Sequence, residues 1–159
     1  MKWVKGLAVA AAAVWAVGGV ARAQEGEFVG QQLPELKVSY LEKAPDLAGK
    51  PLILEFWATW CPPCRASIPH LNEIYSKYQD RGLQIVGVTN EDKPTVKAFL
   101  KQTPIKYHIA FDKGGELGKF FKVRGIPHAF LVNAEGKIVW QGHPMTLREA
   151  EIEKVLKKD

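Results

Sequence analysis

The sequence contains two cysteines, Cys61 and Cys64, which are separated by Pro62 and Pro63. A disulfide between them would close a loop too short to restrict the unfolded chain much, so a structural role explains the pair poorly. Their spacing suits thiol–disulfide exchange, in which a thiolate attacks a sulfur–sulfur bond and a second thiol completes the reaction. The pair therefore predicts a redox-active site.

The sequence around the cysteines predicts a buried strand followed by a helix. Residues 51–57 are rich in large apolar side chains, which is typical of a central strand. Apolar residues then recur at spacings of three and four, which predicts an amphipathic helix over residues 62–79, with Pro69 inside it. A helix N-terminus offers unpaired N–H groups and partial positive charge, both of which favour a thiolate. We therefore expect Cys61 to be the attacking thiolate and Cys64 the buried resolving thiol.

Glu55 interrupts the apolar strand six residues before Cys61. Alternation places it on the same strand face as Trp57, and both faces of a central strand are buried. Burial without a partner raises the pKa of a carboxyl group, which suits a proton acceptor for Cys64. The alternatives are an ion pair with a nearby lysine or arginine, or a strand face that is open to water.

Three further stretches have the character of strands. Residues 83–89 predict a second buried strand, and residues 107–111 give a weaker signal. Residues 129–132 and 137–141 predict an antiparallel hairpin, in which Gly136 can adopt a positive φ.

Three more helices are predicted between and after these strands. One opens near Pro94, and another covers residues 116–123. The second helix is expected to turn Leu117, Phe120 and Phe121 inward. A capping box of Thr146 and Glu149 is predicted to open a terminal helix. Because a strand–helix–strand order gives parallel strands through a right-handed crossover, we expect an α/β domain with a central mixed β-sheet and helices on both faces.

Residues 1–23 differ in composition from the domain expected over residues 24–159. Lys2 and Lys5 precede an uncharged run over residues 6–20, and the segment ends on small residues around Arg22. This pattern predicts a secretory signal peptide that is cleaved after residue 23, and hence an exported protein in the periplasm or another extracytoplasmic space. A retained membrane anchor is the alternative, although the run is shorter than the roughly 20 residues that span a bilayer.

The charge of the predicted mature domain is close to balanced. Removing residues 1–23 leaves 19 basic against 17 acidic residues, so the formal net charge falls from +5 to +2. The charges are scattered, without a block of five or more of one sign. This distribution gives no reason to expect a nucleic-acid or acidic-membrane partner.

The sequence does not provide the ligands of a structural zinc site. Zinc needs four ligands, and there is no second cysteine pair to join the first. The four histidines lack metal-ligand spacing; they are His70, His108, His128 and His143. We therefore expect no metal and no cofactor beyond the redox-active Cys61–Cys64 disulfide. A copper-carrying protein remains an alternative if Cys61, Cys64 and His128 converge.

Two segments carry a resemblance to a known family. Residues 54–65 resemble the active-site strand and helix start of thioredoxin-like proteins, and Gly125-Ile-Pro-His128 together with the export signal resembles the TlpA/ResA branch. The resemblance extends over roughly residues 28–157. It implies a thioredoxin-like fold and a thiol–disulfide oxidoreductase that acts on proteins with cysteine pairs.

The resemblance also assigns roles to single residues. It implies a cis peptide bond before Pro127, although only about 5–6% of X–Pro bonds in folded proteins are cis. It implies a buried acid at Glu55, a helix kink at Pro69 and a role for Pro127 in holding the substrate strand. We expect Trp60, Ile126 and His128 to join Pro127 in the substrate-binding surface.

Two positions depart from the family pattern. Many members have a glutamate three residues after the second cysteine, where this chain has Ser67. Small or β-branched residues are common at the position of His128, so this histidine is either a substrate contact and proton donor or a solvent-facing loop residue.

The prolines between the cysteines bear on the direction of electron flow. Pro63 has no N–H to offer a Cys61 thiolate, and the motif contains no histidine, so we expect a reductase. Such an enzyme needs a membrane electron donor; candidate substrates are apocytochrome c and copper-site proteins, and we expect a monomer. A disulfide-forming oxidase and a peroxidase are alternatives, although the Pro-x-x-x-Thr-x-x-Cys pattern of peroxidases is absent.

Overall fold

The structure is a computed structural model that describes residues 26–157. The predicted signal peptide or anchor, residues 1–23, lies outside the described residues. Across the part that is described, every helix is too short or too polar to cross a membrane.

Six strands form one mixed sheet in the spatial order β1-β4-β3-β2-β5-β6. Strands β2, β3 and β4 run parallel, whereas β1, β5 and β6 are antiparallel to their neighbours. The strands are β1 Ser39–Tyr40, β2 Leu52–Phe56, β3 Gln84–Thr89, β4 His108–Phe111, β5 His128–Val132 and β6 Ile138–Gly142. All five residues of β2 are buried, as its run of apolar side chains predicts for a strand with neighbours on both sides. Gly136, in the β5–β6 turn, has the expected positive φ of 79°.

Helices cover both faces of the sheet, as expected for this fold class. They are α1 Pro62–Tyr78, α2 Lys93–Leu100, α3 Glu116–Phe120 and α4 Glu149–Leu156. Ile53 of β2 faces the core that contains α1 and α4, whereas Leu54 faces the core that contains α3. Pro69 lies inside α1 without ending it. The side chains of β2 alternate between the two faces of the sheet, and the interior is therefore divided into two layers. The segment that carries the cysteines follows the carboxyl end of this strand.

One sequence prediction at the α3 face is wrong. Phe120 is 51% exposed rather than inward, because α3 has only five residues and presents Leu117 and Phe121 to the sheet. The segment before β1 also packs on this face: the Phe28 ring is buried with its centroid 5.2 Å from that of Phe121, and the Phe28 backbone N–H donates to Gln141 Oε1 at 2.8 Å.

The predicted capping box at the start of α4 is also wrong. Thr146 ends a short 3₁₀ turn, and its hydroxyl donates to the carbonyl oxygen of His143 at 2.8 Å. The N-cap is Arg148, whose N–H donates to Glu151 Oε2 at 2.9 Å. A serine or threonine hydroxyl can bond to a nearby backbone carbonyl as well as cap a helix N-terminus. Here the Thr146 hydroxyl bonds to the carbonyl of the local turn and does not cap the helix.

Candidate active site

Cys61 and Cys64 form a disulfide at the N-terminus of α1. Cys61 is the N-cap residue, with φ −90° and ψ 106°, and the N–H of Cys64 points at Cys61 Sγ at 3.2 Å. Between them, Pro62 and Pro63 occupy the first two helical positions and have no N–H. One backbone donor therefore serves the Cys61 sulfur, where an ordinary helix start provides more.

A loop before β5 lies directly across from the disulfide. The Ile126–Pro127 peptide bond is cis, as the resemblance implies, and the carbonyl oxygen of Ile126 is 3.7 Å from Cys61 Sγ. A cleft of about 380 Å³ separates this loop from the start of α1. It is lined by Trp60, Cys61, Pro62, Pro63 and residues 123–126. Trp60 is 68% exposed whereas Cys61 is only 2% exposed, so the tryptophan forms an exposed wall of the cleft and the sulfur lies buried beside it.

The cleft continues past Trp60 into a second cavity of about 470 Å³. Phe56 and Trp57 contribute apolar side chains to its lining, and Lys122 and Arg124 also line it. A larger cavity, about 810 Å³, lies elsewhere, between the segments that precede β2 and follow β5. Because these segments are at the opposite end of the strands from the disulfide, this cavity is not part of the redox site.

Glu55 is completely buried on the face of β2 that points toward α1. Its two carboxyl oxygens contact neutral hydroxyl groups: Oε1 is 3.3 Å from Ser67 Oγ, and Oε2 is 3.3 Å from the Tyr107 hydroxyl. Burial raises the pKa of Glu55 to about 8, and these two hydrogen bonds oppose the rise without cancelling it. The described partners include no lysine or arginine, so the alternative of an ion pair is not what the structure shows.

Ser67 and Tyr107 are the site residues that the sequence reasoning missed. Ser67 lies one helical turn beyond Cys64 and also donates to the Cys64 carbonyl oxygen at 2.8 Å. Its spacing of three from Cys64 was a usable signal, because such residues share a helix face. Tyr107 is separated from Glu55 by 52 residues, and nothing in its local sequence indicates the contact. Burial and the neighbouring Glu55 raise the pKa of Tyr107, which therefore stays a neutral donor.

His128 lies on the other side of the loop from the disulfide cleft. It is the first residue of β5, half-buried, with its ring 5.0 Å from that of Phe130. It lines a separate cavity with Glu27 and Gln141. Burial lowers the pKa of His128, and His143 lowers it further. Residues 26–157 contain no group of three side chains placed to hold a metal ion, so the convergence that a copper site would need is not seen.

Comparison with known proteins agrees with this geometry. Residues 29–141 match the AhpC/TSA family. The chain is 36% identical over 140 residues to the thiol-disulfide oxidoreductase ResA of Bacillus thuringiensis subsp. konkukian, which covers 85% of this chain and 80% of that protein.

Two solved structures with the same fold have related names. One is a thiol:disulfide interchange protein DsbE from Chlorobium tepidum, with 33% identity, a TM-score of 0.65 and coverage of 70% of this chain and 83% of that one. The other is StoA from Bacillus subtilis, with 27% identity, a TM-score of 0.57 and coverage of 69% and 84%. With its Cys-Pro-Pro-Cys pair, the chain belongs to the AhpC/TSA family and is a thioredoxin-like thiol-disulfide oxidoreductase of the ResA kind.

Proposed function

We propose that the protein reduces disulfides in particular exported proteins. The observation that carries this direction is the single N–H, that of Cys64, which faces Cys61 Sγ. A strongly oxidising pair owes its potential to a well-stabilised reduced form, in which donors surround the thiolate. Here Pro62 and Pro63 provide no donors, so the reduced form is stabilised less and gives up its electrons more readily.

The reaction begins with the Cys61 thiolate, which attacks a substrate disulfide and releases the first substrate thiolate. The mixed disulfide is then resolved by Cys64. Its thiol proton passes to the Glu55 carboxylate, its sulfur bonds to Cys61 Sγ, and the second substrate sulfur leaves as a thiolate. A base with a pKa of about 8 suits this step, because it binds a proton readily and is still partly ionised near neutral pH.

Substrate binding is assigned to the residues around the cleft. Trp60 offers an exposed aromatic surface, and the Ile126 carbonyl next to Pro127 lies beside Cys61 Sγ. An extended substrate segment placed along this loop brings its own cysteine to Cys61. His128 contacts a substrate only if the substrate also reaches around to its separate cavity.

The setting follows from the predicted signal peptide. An exported reductase in an oxidising compartment needs a membrane electron donor to restore its thiols. Its substrates are exported proteins whose cysteine pairs must stay reduced for a later step, such as apocytochrome c before haem attachment or a copper-site protein before metal loading. The near-balanced charge gives no reason to expect nucleic acid as a partner, and the enzyme is proposed to act as a monomer.

The test is the reduction potential of the Cys61–Cys64 pair, measured by equilibration with a thiol buffer of known potential. A reductase gives a value near or below about −220 mV, toward thioredoxin on the scale. A value near about −120 mV would identify a disulfide-forming oxidase instead and overturn the proposed direction.

A further inference from the structure

Ser67 makes two contacts, but its hydroxyl group can donate a hydrogen bond in only one of them at a time. It is fully buried, with Oγ 2.8 Å from the carbonyl oxygen of Cys64 and 3.3 Å from Oε1 of Glu55. A hydroxyl group carries one proton, so only one of these oxygens receives it at a time. The remaining contact is favourable only if the neighbouring group itself donates a proton to Ser67 Oγ. The Cys64 carbonyl has no proton, so only the Glu55 carboxyl group can do this.

The protonation state of Glu55 therefore determines which way the hydroxyl points. When Glu55 is protonated, its carboxyl group donates to Ser67 Oγ, and Ser67 donates to the Cys64 carbonyl. When Glu55 is ionised it can only accept, so the Ser67 proton turns toward the carboxylate and leaves the Cys64 carbonyl. The distance of 2.8 Å to the Cys64 carbonyl oxygen is within the usual O–H···O range, so the Ser67 proton lies on that carbonyl in the oxidised protein, as the arrangement with protonated Glu55 requires. The contact between Ser67 Oγ and Glu55 Oε1, at 3.3 Å, is the longer and weaker of the two.

We propose that Ser67 is a positioning residue for the exchange reaction, whose hydroxyl proton turns between the Cys64 carbonyl and Glu55 as Glu55 loses and regains its proton. This inference rests on the proposed role of Glu55 as the proton acceptor. Ser67 stabilises the carboxylate before Cys64 is deprotonated. After the proton has reached Glu55 and the Cys61–Cys64 bond has formed, Ser67 donates to the Cys64 carbonyl again.

The surroundings of Glu55 make this contribution large enough to measure. The flanking strands place Gly87 and Ala129 beside it, and neither side chain carries a polar group. On the helix side it contacts Ser67, and from the segment before β4 it contacts Tyr107. Among the described residues the carboxylate thus has two hydroxyl donors. Hydrogen bonds are stronger in such a buried site than at the surface, so the loss of one of two donors changes the proton affinity of Glu55 clearly.

The test compares Ser67→Ala, which removes the hydroxyl, with Ser67→Thr, which keeps it. The titration of Glu55 is followed by the carbon-13 shift of its carboxyl group, and resolution by release of a peptide thiol from a mixed disulfide on Cys61. Ser67→Ala should titrate Glu55 at higher pH and slow resolution at pH 7 roughly tenfold, with little loss at high pH. Ser67→Thr should keep the wild-type profile. An unchanged titration of Glu55 in Ser67→Ala would overturn the proposal.

Glu55→Gln separates this inference from the function on which it rests. If Glu55→Gln resolves the mixed disulfide at the wild-type rate, the role of Glu55 as proton acceptor is wrong. If Glu55→Gln is slow but Ser67→Ala keeps the wild-type pH profile, only the role of Ser67 is wrong. In the Glu55→Gln background, adding Ser67→Ala should leave the rate unchanged, because Ser67 acts through Glu55. A further loss there would show that Ser67 only supports the structure.

Discussion

Glu55 is the one ionisable side chain of β2, whose other four residues are apolar. Its pKa of about 8 in the folded protein lies above the ordinary value of 4.5. A group whose pKa is higher in the folded state contributes to the stability of the fold fully below its unfolded-state pKa. This contribution is lost as pH rises through its folded-state pKa. Between these values the folded state binds a proton that the unfolded chain has released, so stability falls as pH increases.

Replacement of Glu55 by Gln should remove this pH dependence. The wild-type free energy of unfolding should fall by on the order of 3–5 kcal/mol between pH 4.5 and pH 8, whereas that of Glu55→Gln should stay nearly level. Urea denaturation of both proteins across this range makes the comparison. Glu42→Gln, at an exposed position, is the matched control and should follow the wild type. A parallel fall in Glu55→Gln would assign the dependence to other groups.

Cys64 is expected to resolve the mixed disulfide, so its replacement should leave substrates bound to Cys61. In Cys64→Ala, mixed disulfides with exported proteins should accumulate and disappear when a reductant is added, as seen on non-reducing gels. Cys61→Ala is the control, because it removes the attacking thiolate and should trap little. Equal trapping by both variants would contradict this assignment, because either cysteine could then attack the substrate, and trapping by Cys61→Ala alone would exchange their roles.

At the scale of the element, the start of α1 sets how well a thiolate is stabilised. An N-cap side chain accepts from the N–H of the second or third helical residue. The second residue is Pro63, which is exposed and has no N–H, so a substitution there can restore a donor without disturbing the core.

Pro63→Ala should therefore raise the reduction potential of the pair. One additional hydrogen bond to a charged sulfur is worth about 1.5–3 kcal/mol, which corresponds to a rise of roughly 30–60 mV. Pro62→Ala is a matched control, because the first helical residue does not point its N–H at the N-cap side chain. If Pro62→Ala and Pro63→Ala raise the potential equally, general relaxation of the loop is responsible rather than the restored donor.

The elements around the site differ in how far their sequence determined them. β2 is an apolar run apart from Glu55 and α1 has a clear helical period, so their types, and their limits to within one residue, followed from the sequence pattern alone. The start of α4 did not, because the Thr146 hydroxyl bonds to the His143 carbonyl within the preceding turn, and the helix begins only after Arg148. The contacts of Glu55 could be predicted only in part, since Tyr107 reaches it from a distant segment through the tertiary fold.

At the scale of the whole molecule, the same two-layer core holds both oxidation states of the cysteine pair. Cys61 and Cys64 are packed in a cluster with Trp57 and Ile68, where a neutral disulfide is well accommodated. In the reduced form this cluster has to hold a thiolate with one facing N–H donor. Folding should therefore favour the disulfide more than the unfolded chain does.

The oxidised protein should accordingly require more urea to unfold than the reduced protein. The difference in unfolding free energy equals the difference in reduction potential between the folded and unfolded pair, with 30 mV for each 1.4 kcal/mol, so both quantities can be measured independently. The small loop closed by the disulfide contributes little to this difference through chain entropy. Cys64→Ala cannot form the bond, and its unfolding should be insensitive to reductant. If the reduced form proves more stable than the oxidised form, the protein behaves as an oxidant, because the fold then stabilises the thiolate rather than the disulfide.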